Sequence, residues 1–151
     1  MVFAALDSFG FRAFLLLHII AIVVAFAPGF VWPLVGLALR KEQKSIGTLY
    51  TVVADNALKI QGVAMILAGI FGIGMISLSD EAYKFSQSWV SIALLLWFLG
   101  IGVIYGLLLP TLKRAGSGNE TSEARIPMYY GMLHLLLLLA VIDMIWKPGF
   151  P

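Results

Sequence analysis

Few polar side chains interrupt the apolar runs of this chain, and two of them, His18 and Asp143, stand where chemistry is worth looking for. An ionisable group inside hydrocarbon costs about 2.5 to 3.5 kcal/mol to insert, so each one is a site hypothesis until a structural partner explains it. Along a helix, His18 lies roughly 9 Å past Arg12, and Asp143 lies roughly 6 Å before Lys147. If their helices are neighbours, Asp143 accepts a hydrogen bond from one ring nitrogen of His18. That bond fixes the tautomer and leaves the other nitrogen free as a ligand. The plainer alternative pairs Asp143 with Lys147 at i,i+4 and His18 with a carbonyl of a neighbouring helix. A second group, His134, Tyr105 and Gln61, shares a depth on three different segments, where a hydrogen-bonded polar cluster would satisfy all three without a cofactor. The two histidines differ in depth by about 10 Å, which disfavours one haem iron held between them.

Other site chemistry is missing from the sequence. It has no H-E-x-x-H, no P-loop, no nucleophile elbow and no paired intramembrane carboxylates. Without cysteine there is no disulfide and no thiolate metal site. Met65, Met75, Met128, Met132 and Met144 are scattered on apolar segments as packing residues, not arranged as a copper-binding string. Nothing resembles a nucleic-acid patch.

The elements that must position these residues follow from composition. The 151 residues are 61% hydrophobic and 12% charged, with a mean hydropathy of +0.98, far above what a water-soluble domain tolerates. Apolar runs of about 20 residues, each long enough to cross the hydrocarbon, occur at about 13–39, 57–78, 88–112 and 127–146. The expectation is all-α: one polytopic membrane four-helix bundle over residues 1–151. Ala25-Phe26-Ala27 has the pattern of a signal-peptide cleavage site. Asp7 ahead of it, Pro28 straight after it and the apolar run to Leu39 favour a span instead. Asp55 and Asn56 read as N-cap residues for the second span, Pro110 as the stop of the third, Ala115 to Glu123 as a mobile linker, and Pro127 as a first-turn residue of the fourth.

Lys and Arg collect on cytoplasmic loops. Arg40, Lys41, Lys44, Lys113, Arg114 and Arg125 share one side against Arg12, Lys84 and Lys147 on the other, so both termini are expected on the non-cytoplasmic side of a bacterial-type inner (plasma) membrane. Trp89, Trp146 and Trp32 fit the interfacial aromatic belts. Pro28 and Gly29 should kink the first span, either opening a pocket beneath His18 or fitting a long helix into the bilayer. Lipid offers no hydrophobic reward for bringing helices together, so Gly62, Gly69, Gly72 and Gly74 read as a close-packing face, against either a neighbouring helix or another subunit.

The stretch LLLHIIAIVVAFAPGFVWP and the closing Arg125-Ile126-Pro127…Trp146-Lys147-Pro148 resemble a clan of small membrane proteins. It includes HemJ-type protoporphyrinogen oxidase, CopD-like copper-resistance proteins and an uncharacterised four-helix branch. The resemblance implies haem b as a cofactor with His18 as its ligand. HemJ-type proteins also carry a lysine near the start of the third helix, where this sequence has Trp89-Val90-Ser91-Ile92. That departure points to the uncharacterised branch. The leading expectation is therefore an accessory or assembly subunit of a larger membrane complex, with membrane-protein partners or further copies of itself. A haem b oxidoreductase is the alternative, and a small-solute or proton-coupled transport component using Asp143 and His18 is the third reading.

Overall fold

The computed structural model describes residues 6–42 and 46–149, so Gln43 and Lys44 of the first basic loop lie outside it. Four long helices account for most of the chain: α1 (Phe9–Lys41), α2 (Gly47–Ser77), α3 (Ser88–Gly116) and α4 (Glu120–Trp146). All four are long and apolar enough to cross a membrane. Each packs against its predecessor and α4 closes on α1, giving an up-and-down bundle. Leu34, Phe98 and Ile145, each more than 60% exposed, stand on a largely apolar exterior. The end carrying the start of α1 and the close of α4 is called here the terminal end. The opposite one, with Lys41, Lys113 and Arg114, is the basic end.

Three helices start earlier than the apolar runs indicate, and the fourth ends later. α2 begins at Gly47 rather than at residue 57, and its first turns bury Val53 and Ala54 against the last turns of α3. Asp55 therefore lies inside the helix and pairs with Lys59 at 2.6 Å instead of capping. α3 continues past Pro110 to Gly116. A π-helical stretch, Val103–Leu108, immediately precedes that proline, widening the turn where the Gly106 carbonyl would otherwise meet the ring. A second π-helical stretch, Ala57–Gln61, lies against it in α2. Six of the nine residues of the expected linker are helical. Only residues 117–119 turn, and the Asn119 side chain accepts the Ser122 N–H at 2.8 Å to start α4 at Glu120, placing Pro127 well beyond the first turn. α1 runs unbroken through both Pro28 and Pro33.

The densest packing lies toward the basic end, where Ile104, Leu108, Leu112, Leu133 and Val53 are almost completely buried. Toward the terminal end, small residues and rings take over. The Phe14 ring fills the space a side chain at Gly74 would take, Tyr105 does the same at Gly62, and Trp97 at Gly69. The glycine face of α2 thus packs against helices of its own chain, letting α1 and α3 approach it on two sides.

Candidate functional site

His18 projects from α1 onto α2, and its Nδ1–H donates to the Ala68 carbonyl at 2.6 Å. In α-helical geometry the side chain at i+4 leans back over the carbonyl of residue i. For Ala68 that position is Gly72, and the imidazole lies beside it, with Cε1 3.3 Å from where a Cβ would stand. The same device recurs one turn earlier. Trp97 of α3 donates its Nε1–H to the Met65 carbonyl at 2.7 Å, over Gly69. Two glycines of α2 thus uncover two backbone acceptors, one for each neighbouring helix.

Because a carbonyl only accepts, Nδ1 carries the proton and the neutral ring presents a lone pair at Nε2. That Nε2 is buried and has no partner among the described residues. His18, 7% exposed, forms part of the wall of a cavity of about 120 Å³ together with Phe26, Met65, Trp97, Leu137 and Met144.

Over the terminal end of this cavity sits the α2–α3 loop. Ser79, fully buried, donates from its hydroxyl to the Ile76 carbonyl at 2.7 Å and accepts the Tyr83 N–H at 2.9 Å. The Trp89 Nε1–H donates to Gln87 Oε1 at 3.1 Å, and the Tyr83 and Trp89 rings meet edge to face at 5.1 Å. Lys147, the left-handed residue closing α4, lays its ammonium 4.7 Å from the centre of the Tyr83 ring and 5.5 Å from that of Trp89, and donates to the Tyr83 hydroxyl at 3.0 Å. Trp89 is therefore buried under a cap and is not a lipid-facing belt residue, whereas Trp146 is exposed.

Asp143 does not reach His18. The histidine takes a backbone partner on α2, while the Asp143 carboxylate on α4 makes no hydrogen bond or ion pair among the described residues, leaving its buried Oδ2 without a partner. His18 thus takes the carbonyl partner of the plainer alternative, whereas that alternative's Asp143–Lys147 side-chain pair is not formed, and Lys147 donates to Tyr83. His134, Tyr105 and Gln61 are likewise not hydrogen-bonded to one another. His134 stacks on Phe30 with ring centres 4.1 Å apart, and its Nε2 lies 2.7 Å from where a Cβ on Gly29 would stand. Gly29 thus seats this ring, whatever bend Pro28 introduces. Tyr105 lies over Gly62, and Gln61 is buried in the π-helical stretch with Oε1 unpartnered. Sequence reasoning passed over Tyr83, Tyr130 and the aromatic seat of Lys147. Tyr83 stands in a polar loop and Tyr130 in an apolar helix, and neither ring signals a role until the helices meet.

Haem has one suitable donor here and too little room. Nε2 of His18 has the orientation of an axial ligand, its other nitrogen fixed by a carbonyl. The cavity beside it, about 120 Å³, is close to that of an engineered void of roughly 150 Å³ that binds benzene. A macrocycle does not fit between the helices as they pack. No group of three His, Cys, Asp or Glu among the described residues could hold a bare metal ion.

Fold and site together define an all-helical bundle of four helices long and apolar enough to cross a membrane, with a small, mostly apolar cavity and one imidazole in its wall. No family model, curated protein or solved structure matches the chain.

Proposed function

We propose that this chain is a ligand-holding accessory subunit of a bacterial-type inner membrane, which binds a compact ring compound through a hydroxyl donated to His18. The observation that carries the reading is Nε2 of His18: buried, unpartnered and on a ring already oriented by Ala68. In hydrocarbon such an acceptor gains a net hydrogen bond from a ligand that has a donor, and little from one that lacks it. The chemical candidates lie in separate places, His18 against α2, His134 against Phe30 and Asp143 on α4, an arrangement that suits holding a ligand better than turning it over. Both termini face the non-cytoplasmic side on this reading, because the lysines and arginines gather at the other end.

The test uses 4-methylphenol as the probe and thermal unfolding of the purified protein in mild detergent as the readout. A saturable rise in midpoint that disappears in His18→Ala is expected, since a ligand at about 100 times its Kd stabilises by roughly 2.7 kcal/mol. A rise that persists undiminished in His18→Ala refutes the reading. The absorption spectrum of the same sample, expressed with added haem, tests the alternative: a Soret band lost in His18→Ala would assign the nitrogen to haem iron and require the helices to part.

Assembly into a larger complex has its own support. Gly102 and Gly106 of α3, four residues apart and exposed, have nothing within 4 Å of where a Cβ would stand. This is the spacing through which transmembrane helices approach closely, and its occupant would be a helix of a partner or of a second copy. The mass of the detergent-solubilised particle, larger than one chain, is the expected result.

A further inference from the structure

A second and larger cavity, about 310 Å³, opens toward the basic end between α1 and α4, and all four helices contribute to its wall. We infer that it is a binding site for the head of a bilayer-soluble quinone, held by hydrogen bonds from Trp32 and Tyr130. The two side chains stand on α1 and α4, and each has a buried polar atom, the indole Nε1–H and the phenol hydroxyl, with no partner among the described residues. An unpaired buried donor costs about 1 to 3 kcal/mol, so two in one wall call for a ligand with accepting oxygens. Apart from Glu123, the rest of the wall is apolar or aromatic, with Tyr50, Leu112, Ile126 and Pro127 among its members. At 310 Å³ it falls within the range of small-molecule sites and well above the chamber beside His18.

The charges choose between acceptors. A phospholipid head would bring a charged phosphate to a wall that is mostly apolar and holds, among the described residues, no lysine or arginine. A quinone brings two uncharged carbonyl oxygens on a flat ring suited to aromatic faces. The position agrees. Tyr130 lies about 10 Å along α4 from Glu123, roughly the depth at which headgroups give way to hydrocarbon, and the exposed Leu37 and Pro127 mark a lateral opening for an isoprenoid tail.

The site has a convenient lesion. A Cβ at Gly36 would meet nothing nearer than Leu49 at 3.7 Å, so a side chain can start there without a clash, and Gly36→Leu places its bulk in the cavity wall. The protein, in nanodiscs of phosphatidylcholine, is titrated with decylubiquinone while tryptophan fluorescence is followed. Expected is a saturable quenching component that is absent in Trp32→Phe, lost in Gly36→Leu with helicity and unfolding midpoint retained, and shifted about 3- to 10-fold to higher concentration in Tyr130→Phe. Quenching that only grows in proportion to the quinone-to-lipid ratio overturns the inference. So does a saturable component that survives in Gly36→Leu, or a midpoint unmoved in Tyr130→Phe. None of these outcomes bears on His18, which stands in the other cavity.

Discussion

Replacing Gly69 by alanine tests how this bundle is held together, because the sign of the effect depends on geometry and not on residue type. A methyl group there collides with the Trp97 indole, whose Nε1–H is tied to the Met65 carbonyl at 2.7 Å. Overpacking costs about 1–3 kcal/mol, and loss of an interhelical hydrogen bond in the membrane about 0.6–2 kcal/mol. Helix propensity returns about 1 kcal/mol on exchanging glycine for alanine. The net expectation is a destabilisation of about 1–4 kcal/mol. Gly131→Ala on α4, with no atom within 4 Å of the new methyl, keeps the propensity gain and is neutral or stabilising by up to about 1 kcal/mol. Reversible unfolding in mixed micelles, followed by far-ultraviolet circular dichroism, measures both. A double-mutant cycle with Trp97→Leu should remove most of the Gly69→Ala penalty. If Gly69→Ala is as stable as Gly131→Ala, the uncovering of backbone carbonyls by glycine is not what joins α2 to its neighbours.

Two further perturbations address the ends of the bundle. Asn119→Ala removes the cap that accepts the Ser122 N–H at 2.8 Å; a loss of about 1 kcal/mol is expected, with faster amide exchange confined to the first turn of α4. Uniform exchange across α4 would show that the cap does not anchor it. Lys147→Met keeps the length of the stem but removes the ammonium from the Tyr83 and Trp89 rings, at a cost of about 0.5–2 kcal/mol, with a changed near-ultraviolet signal from Trp89. An unchanged spectrum and midpoint would mean that the cap over the His18 chamber is held by Ser79 and Gln87 without Lys147.

Sequence alone determined the all-helical class, the four spans and the rarity of polar groups at depth, because crossing hydrocarbon demands long apolar runs and internal backbone hydrogen bonding. It also singled out His18 and the α2 glycines. Helix ends were less legible: Asp55 looks like a cap in a list of residues, yet Val53 and Ala54 find a surface on α3 and draw the helix back to Gly47. The stretch AGSGNETSE is small and mostly polar and reads as linker until Ala115 and Ser122 are seen packed inside. The partner of His18 was beyond residue-type reasoning, since every residue offers a carbonyl and the close approach of α1 to α2 beside Gly72 decides that the one at Ala68 is taken. Only tertiary structure could direct His18 to α2 and leave Asp143 apart. Only tertiary structure could also bring Trp32 and Tyr130 to one cavity, because their side-chain directions depend on how the helices are rotated against one another.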